Sequence, residues 1–211
     1  MKNRVVGIVF RLSAIAIALL IASPCFAGAK KAEGIFLVTS PTIEHCGNLD
    51  KRHTCDGAAV TPELNWTGVP AGTKSFAVYL WHIAPDDAFK TYWVVYNIPG
   101  DATGIPENNQ TVGTTGPNDK GTPYDPMCSR YAGLKRYNIT VCALSEIPTF
   151  TDSNVTRKVL LDTIAGTILS EDTLTFTYDR PDAMPEPEDG AEHGEEGGRG
   201  GGDQQGPPPA H

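Results

Sequence analysis

The strongest structural signal in the sequence is a series of short apolar runs separated by turn-forming residues. Between residues 28 and 180, runs rich in β-branched and aromatic residues alternate with clusters of Gly, Pro, Asn and Asp. The run Phe76–Trp81 is almost entirely apolar, which predicts a strand covered on both faces. Strands are predicted at residues 34–39, 63–66, 75–82, 92–98, 136–144 and 173–178. The pattern therefore predicts one mostly β domain of about 150 residues, large enough for its own core.

One later segment has helical rather than strand periodicity. Its apolar residues recur at Val155, Val159, Leu160, Ile164 and Ile168. Because polar residues precede it, we predict a helix with Ser153 or Asn154 as the N-cap. The Gly- and Pro-rich stretch 100–131 is predicted to be a long loop, and such loops are usually functional or disordered.

The first 27 residues have the plan of a secretory signal peptide. Three basic residues precede the apolar run 12–22, and the small-residue site Cys25-Phe26-Ala27 follows it. We expect cleavage after Ala27, which makes Gly28 the mature N-terminus. An uncleaved membrane anchor is disfavoured because the run is shorter than the roughly 20 residues that span a bilayer. Lipid attachment at Cys25 is disfavoured because Pro24 precedes it.

Residues 181–211 are predicted to form a disordered acidic tail. The segment is dense in Gly, Pro and acidic residues, and Met184 is its only large apolar side chain. Such a composition buries too little apolar surface to offset the entropy of ordering. Its eight acidic residues against one Arg carry most of the chain's net charge of −8. The middle domain is mildly acidic and has no basic stripe, so a nucleic-acid partner is not expected.

After cleavage, four cysteines remain in the predicted mature chain: Cys46, Cys55, Cys128 and Cys142. An even number in an exported protein predicts disulfides, and three pairings are possible. The neighbouring His45 and His53 allow zinc binding as an alternative. Their spacing fits no standard zinc clip, so we expect neither a metal nor another cofactor.

Several phrases, in order, carry a resemblance to one family. They are TCDG at 54–57, TPELNW at 61–66, GVPAGTKS at 68–75, WVVYNIP at 93–99, GPND at 116–119 and KRY at 135–137. Together they resemble the phosphatidylethanolamine-binding proteins, in their bacterial Raf-kinase-inhibitor-like branch. The resemblance implies an antiparallel β-sandwich with one or a few flanking helices.

The resemblance also implies a small anion-binding pocket, although this chain departs from the family's residues there. Where the family has the strand-end motif Asp-Pro-Asp-x-Pro, this chain has His82 and Ala84 at the two Asp positions. The family then has a His-Trp pair, and this chain has Tyr92 in place of that His. In the family's His-Arg-Tyr motif, Lys135 replaces the His and Tyr137 is kept.

The implied ligand-binding set is therefore His82, Tyr92, Lys135 and Tyr137. An imidazole, two phenols and an ammonium form a donor-rich cluster suited to an anion, and the family's acidic group is missing from it. The resemblance further implies a pocket rim formed by Asp56, Tyr124 and Arg136.

The resemblance implies that the TCDG phrase and the 124–129 loop approach each other near the pocket. We therefore predict a Cys55–Cys128 disulfide, which leaves Cys46–Cys142 as the second pair. Because Cys142 lies in a predicted strand, it could instead be a buried free thiol.

The sequence favours a binding protein over an enzyme. It has no nucleophile elbow, phosphate loop, metalloprotease helix or dinucleotide fingerprint. We predict an exported, non-enzymatic protein that binds a phosphate-like or phospholipid head-group anion and has no stable membrane insertion after cleavage. One alternative is an interaction or inhibitor protein that acts through surface loops and has a degenerate pocket. The other is a hydrolase-like enzyme that uses His82 with Asp86 or Asp87.

Overall fold

A computed structural model describes residues 34–85, 87–109 and 111–185 of the chain. The predicted signal peptide, 1–27, and most of the predicted tail lie outside these residues. Within the described part of the chain, no helix is long and apolar enough to cross a membrane.

The described residues form a mostly β domain with two antiparallel sheets and one helix, α1 (Arg157–Ile164). The strands are β1 (Leu37–Thr39), β2 (Leu64–Thr67), β3 (Ser75–Ile83), β4 (Phe89–Pro99), β5 (Gly104–Ile105), β6 (Thr114–Gly116), β7 (Lys135–Leu144) and β8 (Ile168–Tyr178). The small sheet has the order β1-β2-β5, and the large sheet has the order β6-β4-β3-β7-β8. The predicted fold class is thereby confirmed.

The main core lies between the two sheets. Alternate residues along β3, including Phe76 and Leu80, face it and are fully buried. Trp66 of β2 meets Phe76 with ring centroids 4.8 Å apart, and its indole Nε1 donates to the carbonyl of Ala102 at 2.7 Å. The indole is therefore buried with its polar atom satisfied.

A second core covers the opposite face of the large sheet. The buried side chains Leu160 and Ile164 of α1 belong to the same apolar cluster as Ala77 and Tyr79 of β3. β3 is therefore covered on both faces, in agreement with its almost wholly apolar sequence.

The predicted helix is correct in place but wrong at both ends. Its N-cap is Thr156, whose hydroxyl accepts from the amide of Val159, while Asn154 instead donates its own amide to Asp152. The helix stops at Ile164, because the amide and hydroxyl of Thr167 both donate to the Ile164 carbonyl. Ile168 keeps the helical spacing by coincidence, and it begins β8.

We predict that Leu160→Ala lowers the free energy of unfolding by about 2–5 kcal/mol, because it leaves a cavity between α1 and the sheet. Chemical denaturation followed by circular dichroism measures this. The matched control is Ile147→Ala, whose side chain is 61% exposed and which should change stability by about 0.5 kcal/mol or less. Equal effects of the two substitutions would contradict the assigned packing of α1.

Candidate functional site

A pocket of about 450 Å³ opens at one end of the large sheet. Because β4, β3 and β7 are antiparallel neighbours, the end of β3 meets the starts of β4 and β7 there. The predicted residues His82, Tyr92, Lys135 and Tyr137 come from these three strand ends, and all four line the pocket. The structure thus brings together the whole ligand-binding set that the resemblance implied.

Strand alternation and one β-bulge determine which side chains reach the pocket. Tyr137 continues the inward face of β7, which also carries Ile139, and it is 1% exposed. On β4 the register jumps from Leu80↔Trp93 to Trp81↔Thr91, so Tyr92 is the extra residue of a bulge. The bulge lets Tyr92 and its neighbour Trp93 both pack on the main core, which regular alternation forbids.

The three pocket rings form a compact aromatic group. The centroid of His82 lies 5.4 Å from that of Tyr92 and 5.2 Å from that of Tyr137. The Tyr92 hydroxyl is 2.8 Å from Nδ1 of His82, a hydrogen bond whose direction depends on the imidazole tautomer. Burial raises the pKa of Tyr92, and it raises the pKa of Tyr137 to about 12. Both phenols therefore keep their protons at neutral pH.

The loop between β6 and β7 forms the outer wall of the pocket and is fixed to the start of β4. The Asn118 side-chain amide donates to the Tyr92 carbonyl at 3.1 Å, and the Asp125 backbone amide donates to the same carbonyl at 2.9 Å. The Asp119 carboxylate accepts from the backbone amide of Thr91 at 2.9 Å. These bonds hold the wall in place without a regular element.

This loop brings charges to the pocket that the sequence analysis missed. The lining includes the acids Asp119 and Asp125, which lie outside the four-residue set that the resemblance implied. It also includes the loop cations Lys120 and Arg130, and Lys90 from the start of β4. Lys120 pairs with Asp125 at 2.9 Å. The GPND phrase at 116–119, which contains Asp119, was the sequence feature that could have indicated this part of the pocket wall.

Cys55 and Cys128 form a disulfide across a sequence separation of 73 residues. Cys128 itself lines the pocket, so the bridge ties the outer wall to the loop that precedes β2. The Cys46–Cys142 pairing is wrong, because Cys142 is a free thiol that is fully buried in the α1-side core. Burial raises the pKa of this thiol.

The three residues expected at the rim do not line the pocket. Tyr124 turns inward and donates its hydroxyl to the His53 carbonyl at 2.8 Å. Arg136 follows Lys135 on β7 and therefore faces the other side, where it lines a neighbouring groove of about 580 Å³. Asp56 lies behind the pocket wall, where it forms the cluster described next.

Asp56 is the centre of a cluster that holds the pocket wall from behind. Its carboxylate accepts from the Tyr178 hydroxyl at 2.6 Å and from Nε of Arg180 at 3.0 and 3.1 Å. Nη1 of Arg180 also donates to the carbonyl of the pocket residue Ser129 at 3.1 Å. The hydrogen bond from Tyr178 and the Arg180 guanidinium hold the pKa of Asp56 below its ordinary value of 3.8.

The pocket lining does not include His53 or Cys55 of the zinc alternative, nor Asp87 of the hydrolase alternative. Both ring nitrogens of His53 already have partners, with Nε2 2.9 Å from the Thr42 hydroxyl and Nδ1 2.9 Å from the Val60 carbonyl. Because Cys55 is in the disulfide, these residues do not form the zinc site considered above. Asp87 is exposed and does not line the pocket, and Asp86 lies outside the described residues.

The chain thus folds as an antiparallel two-sheet domain with a donor-lined pocket at one end of its larger sheet. The family profile described as phosphatidylethanolamine-binding protein matches residues 39–179. The chain therefore belongs to the phosphatidylethanolamine-binding protein family.

Individual relatives are similar over the same part of the chain. The UPF0098 protein of Methanothermobacter thermautotrophicus is 34% identical over 143 residues, which cover 64% of this chain and 92% of that protein. The crystal structure of YbcL from Escherichia coli, described as a member of the mammalian PEBP family, has a TM-score of 0.64 at 29% identity. The match covers 71% of this chain and 99% of the YbcL chain. The crystal structure of CT736 from Chlamydia trachomatis, described as a putative phosphatidylethanolamine-binding protein homologue, has a TM-score of 0.65 at 25% identity. The match covers 70% of this chain and 99% of the CT736 chain.

We predict that Asp56→Asn lowers the free energy of unfolding at pH 7 by about 1.5–3 kcal/mol, the usual contribution of a hydrogen bond to a charged group. Since the pKa of Asp56 is lowered by folding, its contribution is fully present above 3.8 and disappears as pH falls through the lower, folded value. Thermal melts from pH 2 to pH 7 measure both effects.

The matched control for this experiment is Asp101→Asn, at an exposed position outside the cluster. We expect it to leave the melting temperature nearly unchanged at every pH. If the melting temperatures of Asp56→Asn and wild type differ as much at pH 2 as at pH 7, the Asp56 cluster does not stabilise the fold through its charge.

Proposed function

We propose that this protein is an exported, non-enzymatic binding protein whose pocket takes a small anion of the phosphate or phospholipid head-group type. The observation that carries the proposal is the convergence of the Lys135 ammonium, the His82 imidazole and two protonated phenols in one pocket. All of these groups are able to donate hydrogen bonds to anionic oxygens.

The charge balance of the lining supports an anion over a cation. Four fixed cations line the pocket against two carboxylates. Each carboxylate already has a partner, because Asp119 accepts from the Thr91 amide and Asp125 pairs with Lys120. An incoming anion thus meets a net positive lining, in a volume of about 450 Å³ that suits a small ligand.

The hydrogen bond between His82 and Tyr92 suits a binding role. Nδ1 of this imidazole is hydrogen-bonded to the Tyr92 phenol, whose pKa is raised by burial. This hydrogen bond fixes the orientation of the ring, which suits a group that donates to a bound anion.

We predict that Lys135→Met weakens the binding of inorganic phosphate and of phosphoethanolamine at least about tenfold, because a charge-assisted hydrogen bond contributes about 1.5–3 kcal/mol. Isothermal titration calorimetry at low salt measures both ligands. The matched control is Lys74→Met, an exposed lysine outside the pocket lining, which should leave both affinities within about twofold.

Two results would overturn this proposal. Wild-type protein that shows no saturable binding of either ligand at millimolar concentration would remove the anion site. Phosphorus NMR of phosphoethanolamine incubated with the protein checks the non-enzymatic part, since binding alone leaves the phosphomonoester intact. Release of inorganic phosphate that is lost in His82→Ala would instead favour the hydrolase alternative.

Export is supported by the charged, apolar and small-residue regions at residues 1–27. We predict that the full chain, expressed in a bacterium with a periplasm, is recovered there with a mass that begins at Gly28. Ala27→Trp places a large residue at the cleavage site and should leave the signal attached. Recovery of the wild-type chain from the cytoplasm with its first 27 residues intact would contradict export.

A further inference from the structure

The face of the large sheet that carries α1 is only partly covered by the helix, which packs on the middle of β3. Nearer the end of β3, Trp81 is half-buried and Ile83 is 51% exposed. Phe89 of β4, which is the direct partner of Ile83 in the sheet, is 50% exposed. In the described part of the chain, the end of this face therefore remains open to solvent and carries large apolar side chains.

A groove of about 580 Å³ lies on this open face. Its lining includes Trp81 and Ile83 from β3, together with Leu134, Arg136 and Asn138 from the start of β7 and the residue before it. Because Asn138 is the sheet partner of Trp81 and Arg136 is two residues away from it, both side chains lie on the same face as the indole. The groove thus combines apolar side chains with a guanidinium and an amide.

Arg157, the first residue of α1, lies on three aromatic rings beside this groove. Its guanidinium carbon is 5.2 Å from the ring centroid of Tyr79, 5.6 Å from that of Trp81 and 4.7 Å from that of Phe89. Its Nε atom is buried and has no hydrogen-bond partner among the described residues. Aromatic faces attract a guanidinium without accepting the hydrogen bonds that a carboxylate would accept. The rings therefore fix the position of this cation and leave it without an acidic partner.

The charge of this surface is uncompensated. Across residues 34–85, 87–109 and 111–185, neither Arg136 nor Arg157 forms an ion pair, whereas Arg52 and Arg180 each pair with an aspartate. Of the described residues that line the groove, none is acidic. Guanidinium groups bind carboxylates through paired N–H donors. An incoming carboxylate thus meets two arginines that have no internal competitor among these residues.

The composition and shape of this surface favour a protein segment over a lipid bilayer. Tryptophan, phenylalanine and arginine are enriched at protein interfaces, and a few such residues usually supply most of the binding energy. A concave groove fits an extended segment better than it fits a flat surface. Asp87, which is exposed between β3 and β4 close to Phe89, adds a negative charge that anionic head groups would repel.

We propose that this surface, formed by Trp81, Ile83, Phe89, Arg136 and Arg157 and named here the arginine–aromatic face, binds an acidic segment of a partner protein. The segment presents a large apolar side chain to the groove and carboxylates to the two guanidiniums. The face lies on the other side of the large sheet from the inward-facing pocket residue Tyr137. The inference therefore goes beyond the proposed anion site and does not depend on it.

The spacing of the strands suggests the probe. Arg136 on β7 and Phe89 on β4, which carries Arg157 on its ring, are separated by β3 alone. Two strand spacings amount to about 10 Å. Two carboxylates three residues apart in an extended peptide are also about 10 Å apart. The peptide acetyl-Gly-Asp-Leu-Phe-Glu-Gly-amide has this spacing and places two apolar side chains between the acids.

The first experiment titrates isotope-labelled full-length protein with this peptide and follows side-chain N–H signals by NMR. We expect saturable shifts of the Trp81 indole and Arg157 Nε signals, with a Kd on the order of 1 mM because a short flexible peptide loses entropy on binding. The same peptide with Asn and Gln in place of Asp and Glu should bind at least about fivefold more weakly. Equal affinity of the two peptides, or no saturable shift up to about 10 mM, would overturn the inference.

The second experiment repeats the titration with three single variants. Arg136→Gln changes an exposed side chain without an ion pair, so the fold should be retained while peptide affinity falls at least about fivefold. Lys74→Gln removes the same charge at an exposed position outside the groove, and its affinity should stay within about twofold of wild type. Lys120→Gln removes a charge from the anion pocket but not from the groove, and it should also stay within about twofold.

Two patterns among these variants would overturn the inference. If Lys120→Gln weakens peptide binding as much as Arg136→Gln does, the peptide occupies the anion pocket. If Arg136→Gln binds the peptide like wild type, the groove is not its site. Because phosphate binding is measured separately, either result leaves the proposed anion site to be judged by its own titration.

The other possible occupants are tested with the full-length protein without peptide. We expect the protein to stay monomeric in analytical ultracentrifugation and to remain in solution when vesicles of phosphatidylglycerol and phosphatidylcholine are sedimented. Co-sedimentation with these vesicles that Leu134→Ser abolishes would assign the face to a lipid surface and overturn the inference. A dimer that Arg136→Gln dissociates would overturn it too, because the face would then bind a second copy of the chain.

Discussion

The pocket wall depends on one partly buried electrostatic contact, the carboxylate of Asp56 against Arg180 and Tyr178. Asp56 belongs to the loop before β2, while its two partners lie at and just beyond the end of β8. Arg180 also reaches the carbonyl of Ser129, and the Cys55–Cys128 disulfide fastens the same stretch beside it. A covalent bond and a charged hydrogen-bonded cluster thus hold a long irregular segment against the sheet, where strand pairing is limited to isolated bridges.

The chemistry of the pocket follows from the ends of three strands and from one irregularity. Regular alternation accounts for His82 on β3 and for Tyr137 on β7, because each continues an inward face. Tyr92 reaches the pocket through the bulge opposite Leu80 and Trp81. Without the bulge, Trp93 and Tyr92 would face opposite sides of the sheet. The aromatic group therefore exists because β4 carries one extra residue at this bulge.

Sequence patterns predicted the parts of this fold that rest on long apolar runs. β3, β4 and β7 were predicted because burial on one or both faces imposes their composition, whereas β5 and β6 have two and three residues and lack such a pattern. The four pocket residues came from the family resemblance. The acids of the wall could not be placed, because side-chain bonds such as that of Asn118 to Tyr92 determine the loop's path. Cys142 was paired with Cys46 only by elimination, and the alternative from its strand position, a buried free thiol, is the one that the structure has.

The position of that thiol has a practical consequence. Cys142 is the free cysteine of the described residues, and it is sealed between the large sheet and α1 with no exposed surface. Its raised pKa and lack of access both suppress its reaction with disulfides, so it does not compete with Cys55 and Cys128 while the domain is folded. The packing of α1 on the sheet thus keeps the Cys142 thiol away from the Cys55–Cys128 disulfide in the folded domain.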